Sequence, residues 1–484
     1  MKRVPAGISM FCILVAVSTC IAENTDSSEL AAAVAQQSLV APPPAQAPAA
    51  LKIKQSGFLG LEGGEIVQGT MDANHSTTGA STDGGSGLFK KAWMERMLFQ
   101  YVNDISPADR IRIVLAIECQ MAFHFPYDQT VLYESHQPAF TFYPDRAEGM
   151  YTLGDETRPW LQFGFGYFPF KTSPDVRNLG EYLFRTSTYP VYVMNNFNRP
   201  YSRLLGFRAS STLFDSLHQD LLLTSSNLLP PLVDYSLSYV LSYRLLKFLD
   251  VGGAISFCHL FNTLDAQESN QTYKYIKENG DTSAYTFKGT KVMLRFALDP
   301  KPIFGWQHTF KYGDFRLYGE WCSTALEDQR NYNTTSTDPA NFGGHFYDKN
   351  TDRMLYMMGL NLPLFRLIQL ATFDVIKEKQ DDVFSIEVER FPNKFANSGT
   401  EVFGKTGPWL PIADPPGNAA ITSVYPWYWS FYFKKSFLDR FALIVQLARD
   451  HTRPISNNPN YYYTEDVLER QGDWWWNARL NVMY

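Results

Sequence analysis

Cysteine is scarce in this chain, five residues in 484, and Cys12 and Cys20 fall in the apolar N-terminal segment. The other three, Cys119, Cys258 and Cys322, are far apart. Neither a disulfide framework nor a C-x-x-C metal knuckle fits that spacing, so they are expected to be small hydrophobes, buried or facing lipid. An excess of one charge is missing too: 43 Lys and Arg stand against 49 Asp and Glu, a net charge of −6. With no basic cluster interleaved with aromatics, a nucleic-acid partner is excluded. The eight histidines are scattered, with no H-E-x-x-H and no pair at ligand spacing, and neither G-x-S-x-G nor a Walker loop occurs. Asp348, Asn350 and Asp352 have the spacing that opens a calcium loop, but Arg353 and Gly359 stand where Gly and Glu are required. No cofactor, metal or catalytic set is therefore expected. Nor does any stretch beyond the N-terminus reach the ~18 consecutive apolar residues that a membrane-spanning helix needs.

The N-terminus carries Lys2 and Arg3, an apolar run from Ile8 to Val17, and Thr19-Cys20-Ile21-Ala22. That order reads as a secretory signal peptide over residues 1–22. An uncleaved anchor is one alternative. Val17-Ser18-Thr19-Cys20 also resembles a lipoprotein signal, with Thr19 where Gly or Ala is usual, which leaves lipidation of Cys20 open. Residues 23–50, rich in Ala, Gln and Pro, lack the large side chains of a core and are expected to form a flexible periplasmic leader. One domain is expected from 51 to 484.

What the chain has in abundance is alternation and aromatic residues, which make up 15% of it. Ile111, Ile113, Leu115, Ile117, Cys119, Met121 and Phe123 alternate with Arg112, Val114, Ala116, Glu118, Gln120 and Ala122. Such a period of two belongs to a strand with one apolar and one polar face. The pattern returns at Tyr235–Leu245, at Phe315–Trp321 and at Trp474–Tyr484. Sandwich strands are usually five or six residues long, whereas ~9–11 are needed to cross a bilayer at a barrel's tilt, and these segments are long. Tyr and Trp crowd their tips, as in Tyr461-Tyr462-Tyr463, and rings of that kind settle at the headgroup level.

An all-β fold follows, a transmembrane antiparallel barrel of about sixteen strands, with fourteen to eighteen as the range. The expected strands are 52–69, 92–103, 110–124, 137–144, 159–170, 203–213, 216–226, 234–246, 249–261, 284–298, 313–326, 353–361, 380–391, 425–436, 440–451 and 473–484. An even number lets the first and last strands pair and leaves no edge in lipid. Long connections fall after odd-numbered strands and tight ones after even-numbered strands, as two faces of a membrane require. The links 145–158 and 362–379 are too long for that scheme.

The signal segment, the period-two strands and the aromatic C-terminus Tyr484 on WWWNARLNVMY resemble Gram-negative outer-membrane porins over residues 51–484. The resemblance implies passage of small hydrophilic solutes, contact with outer-membrane lipid, a homotrimer, and a third long loop folded into the barrel. Lys171–Tyr201 stands at the matching place, with a helix expected over Asn178–Phe184. A constriction is expected from Arg177, Glu181 and Arg185 of that segment facing Arg208, Arg244, Arg295, Arg316 and Glu320 of the wall. The basic lean of this set favours anions. Two other classes remain: a surface adhesin or glycan-binding protein using loops 392–424 and 452–472, and a barrel enzyme assembled from strand ends.

Overall fold

In the computed structural model of the protein the described residues are 51–68, 92–123, 139–154, 159–186, 201–214, 216–225, 234–261, 274–276, 282–284, 288–324, 330–332, 342–345, 350–373, 375–390, 427–449 and 474–484. They belong to one compact unit, Leu51–Tyr484. The expected signal segment, the leader, and loops 392–424 and 452–472 lie outside the described residues.

Period-two patterning dictates the architecture. The strands are β1 Lys52–Gln68, β2 Trp93–Ala108, β3 Ile111–Ala122, β4 Ala139–Gly154, β5 Pro159–Phe170, β6 Ser202–Leu213, β7 Leu217–Ser225, β8 Tyr235–Leu246 and β9 Leu249–Phe261. They continue with β10 Lys274–Ile276, β11 Thr282–Ala284, β12 Gly289–Leu298, β13 Leu317–Ser323, β14 Arg330–Tyr332, β15 Phe342–His345 and β16 Met354–Leu362. The last are β17 Val383–Arg390, β18 Trp427–Phe437, β19 Phe441–Arg449 and β20 Trp474–Met483. Hairpins β10–β11 and β14–β15 decorate long connections, and the other sixteen strands form a closed antiparallel barrel in chain order.

Closure is made by β1 and β20, paired from Phe58↔Met483 to Gln68↔Trp474. Tyr484 completes the seam: its N–H donates to Gly57 O at 3.2 Å, its hydroxyl donates to Gln100 O at 3.0 Å, and its ring stacks on Phe99 at 6.2 Å. Gly57 is obligatory there, since a Cβ would come within 2.3 Å of the tyrosine oxygen.

Sidedness follows the alternation wherever the strand register is unbroken. In β3, Leu115 and Ile117 are exposed on the outer face while Ala116, Glu118 and Gln120 are buried inside. Leu59, Phe99, Phe140, Phe142, Phe163, Phe165, Phe207, Leu221 and Leu294 extend the apolar outer face around the barrel. So much exposed apolar surface is not what a water-soluble monomer presents, and it suits hydrocarbon. Of the three cysteines in the fold, all free, Cys119 is half-buried and Cys258 and Cys322 are buried.

Several strand boundaries differ from the expectation, β2 running on to Ala108 and β12 beginning only at Gly289. The strand placed at 137–144 runs to Gly154, so the link after it shortens to 155–158 and fits the tight side. The strand placed from 313 begins at Leu317, because Phe315 takes a left-handed φ of 58°. The links 299–316 and 363–382 are both long for that side, with short helices at Lys301–Phe304 and Leu364–Ala371.

Candidate functional site

Phe170 ends β5, and the chain turns inward instead of continuing past the rim. Seven barrel strands separate β5 from β17 in either direction round the ring, so these two stand on opposite walls. Residues 171–186 nevertheless dock on the wall around β17, and thereby cross the interior.

The anchor is a single carboxylate. Glu387 on β17 accepts the backbone N–H of Arg177 at 2.6 Å, Asn178 at 2.7 Å and Leu179 at 2.8 Å, together with the Tyr318 hydroxyl at 2.7 Å. Successive N–H groups converging on one anion form strong, charge-assisted bonds. Around it, the Asn178 amide donates to Phe431 O at 3.0 Å and accepts from the Gln446 amide at 2.8 Å. The Tyr182 hydroxyl donates to Glu389 at 2.7 Å. Lys291 donates to the carbonyls of Leu183 and Thr186. Val176, Leu179, Tyr182 and Leu183 are wholly buried and pack with Phe168, Met293, Tyr318 and Met357.

The fold of the segment is tight. Gly180 has φ +80° and Glu181 φ +60°, and a Cβ on Gly180 would meet Met357 Cε at 2.7 Å. A non-glycine left-handed residue is strained and needs support. Glu181 has it on both ends: its N–H donates to Glu320 at 2.7 Å, and its carboxylate accepts the N–H groups of Thr172 and Ser173, each at 2.8 Å. The helix is shorter than expected, Tyr182–Arg185, because residue 181 is not helical.

Glu181, Arg185 and Glu320 therefore come together, but in the dock and out of reach of a solute. Arg185 is 2% exposed and donates to Asn178 O at 3.2 Å. Burial works against its charge, while Glu181, Glu320, Glu387 and Glu389 work for it. Lys171, whose ammonium donates to Val176 O, is pulled by burial down to about 8. Arg316, also buried, ties Asp175 of the segment at 2.8 Å to Asp250 of β9 at 3.2 Å and lies over the Tyr312 ring. Arg295 donates to Ser242 at 2.5 Å, and Arg244 pairs with Asp250 at 3.1 Å near the tight-turn end of β8. Only Arg208 is on the wall from which the segment departs.

That wall has a second arrangement. Arg96 pairs with Glu62 at 2.8 Å, and Glu148 pairs with Arg146 at 2.5 Å and Arg208 at 3.5 Å. The side chains of Arg96, Arg146 and Arg208 are 15%, 26% and 16% exposed, while Glu62 and Glu148 are fully covered. Water in the interior thus meets guanidinium groups with their acids beneath. Of these residues the sequence pattern marks only Arg208 as a wall residue; Arg146 and Glu148 fall in the stretch 145–158 that reads as a link, and the structure places both in β4. Glu387 and Glu389 alternate with the outward Val388 and are therefore turned inward, but the role of anchor emerges only from the fold.

No family model matches the chain, and no curated protein matches it in sequence. Among solved structures, it is similar to a triple mutant of the Rhodopseudomonas blastica porin at 6% identity and a TM-score of 0.39, covering 90% of this chain and 100% of that one. It is similar also to OmpF of Salmonella typhi in complex with daunomycin, at 11% identity and a TM-score of 0.42, covering 90% and 97%. Identities this low accommodate unrelated functions, and the closed barrel stands on its own strand pairing.

Proposed function

We propose that the protein is a passive channel for small hydrophilic solutes in a bacterial outer membrane, narrowed by residues 171–186. The observation that carries this reading is the union of an apolar outer face, a closed sheet and a polar interior crossed by a docked segment. A closed sheet satisfies its backbone hydrogen bonds within lipid, and a charged inner face needs water to be stable. The signal segment supports export. The proposed opening lies between the docked segment and the wall of β1–β6, where Arg96, Arg146 and Arg208 face water. Because their acids lie directly beneath, the field is that of oriented pairs and not of free cations, so the preference for anions is weak.

Planar-bilayer recording tests the reading. Stepwise ion conductance is expected, with reversal potentials in a salt gradient slightly on the anion side. Absence of conductance from correctly folded protein would overturn the channel, and strong cation preference would overturn the arginine-faced opening. Assembly as a homotrimer is part of the proposal, and crosslinking of the purified protein in detergent checks it.

A further inference from the structure

A cavity of about 300 Å³ lies where the docked segment meets the links 299–316 and 363–382. That volume is at the low end of the ~300–1,000 Å³ typical of small-molecule sites, room for one small solute. Its lining carries buried polar atoms with nothing to bond. Asn361 on β16 is 2% exposed, and neither its amide nitrogen nor its amide oxygen has a partner. Arg177 Nε from the docked segment and Asp314 Oδ2 from the link 299–316 are likewise buried and unpaired. Buried polar atoms are as a rule hydrogen-bonded, so unpaired atoms on three side chains from three separate elements around one cavity mark the place of a partner.

The chemistry of the partner follows from the mix. Two unpaired donors, Arg177 Nε and Asn361 Nδ2, stand beside two unpaired acceptors, Asn361 Oδ1 and Asp314 Oδ2. An anion would satisfy the donors and meet Asp314; a cation would satisfy the acceptor side and meet Arg177. Hydroxyl groups, each both donor and acceptor, satisfy both sets. Asp314 Oδ2 remains an acceptor for a hydroxyl near neutral pH, where the carboxyl, lifted by burial to about 6, is mostly ionised. Lys434, also in the lining, is already paired with Asp381 at 2.9 Å and adds no free charge. Tyr312 and Tyr432 supply apolar ring surface beside these groups.

We propose that this cavity is a subsite for a neutral polyhydroxylated solute, a monosaccharide, held by Asn361, Arg177 and Asp314 during its passage. The proposal rests on the channel reading for its route and on the unpaired atoms for its ligand. Titration calorimetry of the detergent-purified full chain with D-glucose, and with glycine as the zwitterionic control, tests it. Saturable glucose binding is expected, weakened at least tenfold in both Asn361→Leu and Asp314→Ala, with glycine inert. No glucose binding by the wild type, tighter binding of glycine, or unchanged glucose affinity in both variants would overturn it. Migration of each variant on an unheated gel shows whether it has folded, and a second substitution guards against loss of one. Conductance of the wild type in potassium chloride reads the channel separately: conductance without glucose binding removes the subsite alone, and glucose binding without conductance removes the channel alone.

Discussion

Replacing Glu387 by Gln should release the segment that crosses the barrel. The shapes are nearly the same, but the carboxylate accepts three consecutive N–H groups at 2.6–2.8 Å and the Tyr318 hydroxyl at 2.7 Å. Glutamine offers one oxygen and turns its NH₂ towards donors. Hydrogen bonds to a charged group contribute ~1.5–3 kcal/mol each, so losing two of the four costs the docked state about 3–6 kcal/mol. A tenfold change in population corresponds to ~1.4 kcal/mol, so the undocked fraction should rise at least a hundredfold. Packing of Leu179, Tyr182 and Leu183 persists, and excursions rather than permanent release are expected. Single-channel recording reads this directly, as frequent transitions to a higher conductance level, while migration on an unheated gel reports that the barrel is intact. A variant as quiet as the wild type, at the same conductance, would refute the assignment of Glu387 as the anchor.

Removal of Tyr484 takes away two hydrogen bonds and a stacked ring at the closing seam. With the residue 54% exposed, the loss is expected near the lower end of the sum, about 2 kcal/mol, visible as a lower temperature for conversion of the compact gel species. The Asp314 carboxyl, raised by burial to about 6 from an ordinary 3.8, contributes stability that is full below about pH 4 and lost as pH rises through 6. Asp314→Asn should therefore be more stable than the wild type at pH 7, with the advantage vanishing by pH 4. A constant difference across that range would contradict the burial of this group.

Strand positions were legible because a barrel wall separates lipid from water residue by residue, and each strand writes that division into its sequence. The reading broke where the division does. In β4 the outward positions are Phe140, Phe142 and Pro144, then Ala147, because the register against β3 shifts between Ala116 and Ile117. Alternation therefore stopped at 144 while the strand went on. Phe315 shows the reverse error, since its apolar side chain extended the pattern of β13 although its left-handed backbone does not belong to a strand. For the site, the sequence marked the inward acids and the segment that folds in. It did not indicate which acids would meet it, because the bonds from Glu387 bridge more than two hundred residues. Nor could it distinguish Arg185, whose charge is spent in the dock, from Arg208, whose guanidinium group reaches water, and it passed over Arg96 and Arg146 on the same wall.

The division of lipid from water is the claim on which everything else depends, and β8 tests it most directly. Nitroxide labels placed singly from Tyr239 to Arg244, in protein reconstituted into vesicles, should collide with dissolved oxygen chiefly at Tyr239, Leu241 and Tyr243. Collision with a water-soluble nickel complex should instead favour Ser242 and Arg244, with Val240 shielded from both reagents by the apolar cluster in which it is buried. Two profiles that rise and fall together, or a repeat longer than two residues, would contradict a closed sheet with oil outside and water within.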